Sequence, residues 1–382
     1  MTDTDLPLAG LRVLDFSQFL AGPVAALRLC DLGAEVIKIE RPQGGDLCRS
    51  MVVNDQRLDQ DSLVFHTFNR GKKSATADLK QPADLERVRG LIKTADVMIH
   101  NFRPGVMERI GLGYETVAEL NSGLVYGAVS GYGTNGPWVG KPGQDLLVQS
   151  LSGIAWLNGN AEDGPVPTGF AMLDVATAGN LVQGILACLL RRGRTGTGGL
   201  VEVDLLTSAI DMTFEQFTCF LNDGQKPPRR HALGNANPYQ PAPYGVYKTA
   251  DGYLAFAMTP LATAAELLEA PELNAYAQDQ AFSHLDEIKA IVAKVFLSNT
   301  TQHWLDVLEP AGIWCAEILD WPAFVKTDGY KAADLVQTIG TPNGESAQTT
   351  KCPIRIDGAA PTGTDVAPRL GADTADVFGA AE

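Results

Sequence analysis

The chain has 382 residues, 45% apolar and 20% charged, with 39 glycines and 22 prolines spread along its length; this predicts two or three globular units and excludes a fibrous or disordered chain. Its net charge of −15, with no Lys/Arg-rich run, excludes nucleic acid as a partner, because the summed field repels a polyanion. Six widely spaced cysteines, with no CxxC or CxH pattern, predict reduced thiols, and none of the five histidines stands at metal-ligand spacing, so no metal is expected.

Residues 1–8 carry two aspartates and no cationic region ahead of an apolar one, and no uninterrupted apolar stretch reaches 18 residues. Neither a secretory leader nor a membrane span is expected, and the cytoplasm is the expected location. Residues 11–15 (LRVLD) predict a short buried strand, 20–32 a helix closed by Gly33, and 34–40 (AEVIKIE) a second strand, together a βαβ unit. The turn between them reads Ser17, Gln18, Phe19, Leu20, Ala21, Gly22, Pro23. A dinucleotide loop needs three glycines for its bend and its close approach to pyrophosphate, so Glu40, though placed like a ribose-binding acid, is not read as one.

The alternation continues with a strand at 73–79, a helix at 82–93, and strands at 96–100 (DVMIH) and 124–129 (LVYGAV). Strands regularly separated by helices predict an open, doubly wound parallel sheet over about residues 8–205. Basic residues recur in loops beside these strands: Arg41, then Arg70, Lys72 and Lys73, then Arg103 and Arg109. Loops at the carboxyl strand ends line the ligand crevice of such a sheet, so these residues are read as candidates for a phosphate-rich ligand, with solvated surface charge as the alternative.

Gln144 and Asp145 follow a Gly- and Pro-rich loop and are read as capping the helix that begins there. Asp174 lies between an apolar approach and a small-residue helix start (Val175, Ala176, Thr177, Ala178, Gly179). Such a carboxylate is either an N-cap or, because small neighbours admit a bulky substrate, a nucleophile toward a thioester. Residues 204–222 predict a helix, 223–243 an irregular linker, 245–257 paired strands around Asp251-Gly252, and 261–270, 284–296 and 301–308 helices. The expected division is a large α/β domain over 1–222, a linker over 223–243, a small α+β domain over 244–328, and a C-terminal return over 329–382. No GxSxG elbow and no P-loop are present.

Residues 7–49, NRGKKSATADLK at 69–80, ADVMIHNFRPGVMERIGLGYETV at 95–117, SGYGTNGPW at 130–138, LLRRGRTGTGG at 189–199 and PRLGADT at 368–374 resemble, in order and at matching spacing, the family III CoA-transferases. That group includes formyl-CoA transferase, carnitine CoA-transferase and the related α-methylacyl-CoA racemase. The resemblance implies a Rossmann-like large domain built from both chain ends, a smaller domain between them, and a homodimer of interlocked ring-like subunits. It implies a transfer of CoA between an acyl-CoA donor and a small carboxylic, possibly dicarboxylic, acid, with acyl-CoA as substrate and no permanently bound cofactor. The family's catalytic aspartate falls on Asp174, and its CoA contacts on Arg41, Lys72, Lys73, Asn101, Phe102, Arg103, Arg109 and Tyr132. Gln18, Gln144, Gly234 and Asn235 match its substrate loops, with Gly234 to Pro238 standing where relatives carry a glycine-run lid. In the related racemases a His-Asp pair follows the glycine that is Gly143 here; Gln144 cannot shuttle a proton, which favours the transferase over a racemase. A non-catalytic CoA-binding protein is the remaining alternative, and Asp174 argues against it.

Overall fold

A computed structural model describes residues 6–51, 53–361, 363 and 365–379; residues 1–5, part of the segment considered for a leader, lie outside the described residues. The first βαβ unit is β1 (Arg12–Asp15), α1 (Ala21–Asp31) and β2 (Glu35–Glu40), with β1 and β2 paired in parallel. A short hairpin, β3 (Arg57–Leu58) and β4 (Asp61–Ser62), leads through α2 (Leu63–Asn69) to β5 (Lys73–Thr76). Then come α3 (Pro82–Ile92), β6 (Val97–His100), α4 (Val106–Arg109), α5 (Tyr114–Leu120) and β7 (Val125–Ser130). Helices α6 (Asp145–Ser152) and α7 (Met172–Thr195), strand β8 (Gly199–Asp204) and helix α8 (Leu205–Met212) complete this run.

The six long strands form one parallel sheet in the order β5-β2-β1-β6-β7-β8. With the short hairpin set aside, this is the 3-2-1-4-5-6 order of a doubly wound sheet, whose direction reverses between β1 and β6. The central strands are apolar on both faces: Val13, Leu14, Val97, Met98 and Ile99 are at most 1% exposed, as expected where helices cover both sides. One face packs Leu14, Ile37, Ala75, Met98 and Tyr126 against Val88, Ile92 and Val117 of α3 and α5. On α7, Leu173, Ala178, Leu181 and Ile185 are wholly buried, and the helix lies along α1, β7 and β8.

By length and composition α7 is long and apolar enough to cross a membrane, contrary to the expectation that no segment is. Its 24 residues include Asn, Gln and three Arg, so no uninterrupted apolar run marks it, and a core helix packed on a sheet meets the same criterion. Strand β8 is an addition to the expected elements: its alternating buried and exposed residues follow a glycine-rich turn, and its last residue, Asp204, is where the sequence predicts a helix to start. The single helix expected over 204–222 is two, α8 and α9 (Phe214–Asn222), interrupted at Thr213.

The chain divides into two units: Met1–Val148, Ala171–Met212 and Asp334–Glu382 form one, Gln149–Phe170 and Thr213–Ala333 the other. These boundaries differ from the expected 1–222, 223–243, 244–328 and 329–382. Residues 223–243 are tied into the second unit by side chains: the Arg230 guanidinium donates to the carbonyls of Asn158, Asp163 and Gly164, and the Asn235 amide to those of Leu157 and Gly159. The second unit holds an antiparallel sheet of β9 (Gly245–Lys248), β10 (Tyr253–Ala257) and β11 (Trp314–Glu317). Its core is Tyr247, Leu254 and Phe256 with Ile288, Val292, Phe296, Trp304 and Leu308, the last five from α10 (Leu285–Phe296) and α11 (Thr301–Leu308). In the first unit the last residues return to the edge strand β5, where the Ser74 amide donates to the Asp373 carboxylate at 2.8 Å and the Thr76 amide to the Thr374 hydroxyl at 3.0 Å.

Candidate active site

Helix α7 begins at Met172 behind Ala171, a residue with no side-chain oxygen to cap it. The missing cap comes from far along the chain. One carboxylate oxygen of Asp145, 3% exposed, accepts the amide protons of Leu173 at 2.7 Å and Asp174 at 3.2 Å. Asp145 therefore serves α7, not only the helix that it opens. Its position depends on a backbone contact, since a Cβ on Gly143 would stand 2.4 Å from the Cα of Gly131 just beyond β7; only glycines let these two segments touch.

Asp174 is consequently not the N-cap of α7 but a residue of its first turn, half-buried. The backbone N–H of Ala21, the first residue of α1, acts on its carboxylate and favours the ionised form, so two helix starts each influence one carboxylate. Burial, reinforced by the charge of Asp145, pushes the Asp174 carboxyl up from 3.8 to about 6, against the opposing pull of the Ala21 amide. Such a group is ionised at neutral pH yet more basic than a solvated carboxylate, which suits a nucleophile. With Asp145 holding the amides of Leu173 and Asp174, those two donors are not free to receive an oxyanion.

The turn that carries Gln18 into α1 is clamped. Asn101 accepts the Gln18 amide proton at 2.8 Å and returns its own side-chain N–H to the Gln18 carbonyl at 2.6 Å. Phe19 has φ of 64°, and its amide donates to Asp46; a left-handed phenylalanine costs about 1–3 kcal/mol and persists only where its surroundings impose it. Below the turn lies a closed set of charges: Lys38 with Asp46 at 2.8 Å, Lys72 with Asp15 at 2.8 Å, and Arg49 with Glu40 at 2.7 Å, all at most 5% exposed. Glu40 is engaged by Arg49 and by the Ser74 hydroxyl, so it offers nothing to a ribose.

At the carboxyl ends of β1, β2 and β5 a cavity of about 230 Å³ opens, with Ile39, Leu79, Phe102, Val106 and Ile110 as apolar walls and Arg41 and Lys80 on its lining. Gln18, read from the sequence as a substrate-loop residue, and Arg41 and Phe102, read as CoA contacts, all line this cavity, and Asn101 is bound to Gln18. Lys72 and Lys73 do not. The Lys72 ammonium is spent inside the domain on Asp15, the Pro23 carbonyl and Asn69, and Lys73, which opens β5, pairs with Glu35 at the start of β2. The cation that sequence reasoning missed is Lys80: the predicted strand ran to Leu79 but ends at Thr76, so 77–80 form the crevice loop. Arg103 and Arg109 are exposed on the segment around α4 outside the cavity lining, and Tyr132 is buried against Trp138 and the Pro142 carbonyl. Gln144 is exposed, and its carbonyl starts α6.

Gly234 and Asn235 belong to the second unit. There the Gly234 carbonyl accepts from the buried Lys289 ammonium at 2.8 Å, and Asn235 is bound to the 157–160 loop. This unit also holds a cavity of about 580 Å³ walled by Trp156, Phe217, Phe220 and Tyr239. It is the larger of the two, but its cations are taken, Arg230 by three carbonyls and Arg229 by Asp286. The smaller cavity, with Arg41 and Lys80, is the better match to a phosphate-bearing ligand.

Comparison with known proteins identifies the family. The family model described as CoA-transferase family III matches residues 8–374. The chain is 34% identical to succinyl-CoA:glutarate CoA-transferase of Mus musculus over 319 residues, covering 81% of this chain and 72% of that one. It is 34% identical to acetyl-CoA:oxalate CoA-transferase of Acetobacter aceti, covering 82% and 81%. The crystal structure of a mutant of Rv3272 from Mycobacterium tuberculosis superposes with a TM-score of 0.84 at 30% identity, covering 97% of this chain and 98% of that one. A match over nearly the whole length, on a six-stranded parallel sheet with a carboxylate held between two helix starts, leaves one conclusion: the chain belongs to CoA-transferase family III and is an enzyme that moves CoA between an acyl-CoA and a carboxylic acid.

Proposed function

We propose that transfer runs through Asp174 as a covalent carrier. Its carboxylate attacks the carbonyl carbon of the donor thioester, the tetrahedral adduct expels CoA thiolate, and a mixed anhydride remains. The thiolate then attacks the aspartyl carbonyl, releasing the donor acid and leaving an aspartyl-CoA thioester. The acceptor carboxylate repeats the sequence in reverse and returns Asp174 to its ionised form. The overall reaction exchanges one CoA thioester for another of similar energy, the uphill formation of each anhydride being offset by its collapse, so no nucleotide is consumed. The observation that carries this reading is the half-buried Asp174 carboxyl, raised to about 6.

The CoA nucleotide lies in the crevice of the large sheet, its base against Phe102, Val106 and Ile110 and its phosphates near Arg41 and Lys80. The acceptor is a short dicarboxylate, a reading supported by the glutarate and oxalate named for the two relatives. Acyl-CoA with hydroxylamine should yield a hydroxamate on Asp174, located by peptide mass spectrometry. CoA exchange that proceeds with no hydroxamate there, or with one on another residue, overturns the reading.

The enzyme is a homodimer of interlocked ring-like subunits. Supporting this, Trp314 and Trp321 are 68% and 84% exposed, close together in sequence with the exposed Ile318 and Phe324, an apolar surface that a soluble monomer rarely leaves open. Analytical ultracentrifugation at micromolar concentration should give twice the 40.7 kDa chain mass, and a monomer under those conditions rejects the dimer.

A further inference from the structure

We propose that Asp145 is the positioning residue for Asp174: it fixes the first turn of α7 from outside and, through its own charge, makes the neighbouring carboxylate a stronger base and nucleophile. The inference rests on the reading of Asp174 as nucleophile. The first observation is geometric. The amides that Asp145 binds are those of Asp174 itself and of Leu173, whereas Ala171, where a helix normally supplies its own cap, has none to give. Were those amides free, the Asp174 side chain could fold back on its own helix start. With them occupied, its carboxylate is left to the influence of the Ala21 amide at the start of α1.

The second observation concerns charge. Among the described residues Asp145 is the one charged side chain acting on Asp174. On the elements packed along α7, Arg28 and Asp31 of α1 pair with each other, and Asp204 at the end of β8 caps Thr207. Glu202 of β8 and Asp211 of α8 face solvent. A second buried anion beside a nucleophilic carboxylate disfavours its ionisation and so makes the ionised form a stronger base. A neutral cap of the same shape would anchor the helix equally well but would not have this effect, and that difference separates a positioning role from a purely structural one.

The test uses the full-length enzyme and two neutral variants, Asp145→Asn and Asp145→Ser, both able to accept an amide proton. The readout is the pH dependence of hydroxamate formation on Asp174 with an acyl-CoA that the wild type accepts. In both variants the acidic limb should move down by about one pH unit, with slower acylation on the alkaline plateau, while Asp145→Glu should stay near the wild-type limb. An unmoved limb in the neutral variants overturns the proposal, and so does failure of both to fold, which would make Asp145 a helix cap and nothing more. Absence of any Asp174 hydroxamate in the wild type is a different result: it removes the nucleophile assignment itself.

Discussion

Asp174→Ala is expected to abolish CoA transfer, with kcat lower by about four to six orders of magnitude and KM for acyl-CoA within a few-fold of the wild type, because the covalent carrier is lost while the nucleotide crevice is untouched. Steady-state kinetics across a panel of acyl-CoA donors and dicarboxylate acceptors would show this, and a loss of less than tenfold would dismiss Asp174 as carrier. The stability of an Asp174→Asn variant should move the opposite way. A carboxyl raised from 3.8 to about 6 favours the folded state below 3.8, and that advantage disappears as pH rises through 6. Ionisation at pH 8 thus costs the fold at most about 3 kcal/mol, and about 1 kcal/mol once the screening of a partly exposed group is allowed for. The amide variant should therefore melt above the wild type at pH 8 and level with it near pH 4, a trade of stability for activity.

Lys72→Met is expected to cost about 3–5 kcal/mol of stability, because it strands a buried carboxylate. Burial alone would raise Asp15, but the Lys38 and Lys72 ammonium groups outweigh it and hold the carboxyl at about 2. A group depressed in this way stabilises the fold above 3.8 and ceases to do so as pH falls toward 2. The deficit of the variant should be full at pH 7 and shrink in acid, as followed by urea unfolding. Lys80→Ala should show the reverse pattern, with an unchanged melting temperature and KM for acyl-CoA raised about tenfold, the size of one charge-assisted hydrogen bond. A Lys72→Met enzyme that melts with the wild type and loses only affinity for acyl-CoA would return Lys72 to the crevice and refute the structural role.

The parallel sheet was legible because its central strands are short apolar runs, LRVLD, EVIKIE and VMIH, each set off by a turn or a helix of clear period. Strand β8 was not, since an edge strand covered on one face offers only two or three apolar positions and here runs straight into α8. Asp174 was legible as a carboxylate at a helix start, but its partners were not: Asp145 lies 29 residues away in sequence, and the Ala21 amide belongs to another helix. The mistake over Lys72 and Lys73 has a physical cause. Side-chain charge near a predicted strand says nothing about which end of the strand it serves, and at the start of β5 the ammonium groups found carboxylates of the fold itself, Asp15 and Glu35.

The docking of residues 373 and 374 on β5 bears on how the enzyme is made. That strand is the outer border of the main sheet, and its amides at Ser74 and Thr76 have nothing in the chain to bind until residues 373 and 374 have been made. A chain from which those residues are missing would thus carry an open strand edge, the kind of surface on which unfinished molecules pair with one another, so the docking of residues 373 and 374 guards the sheet against aggregation.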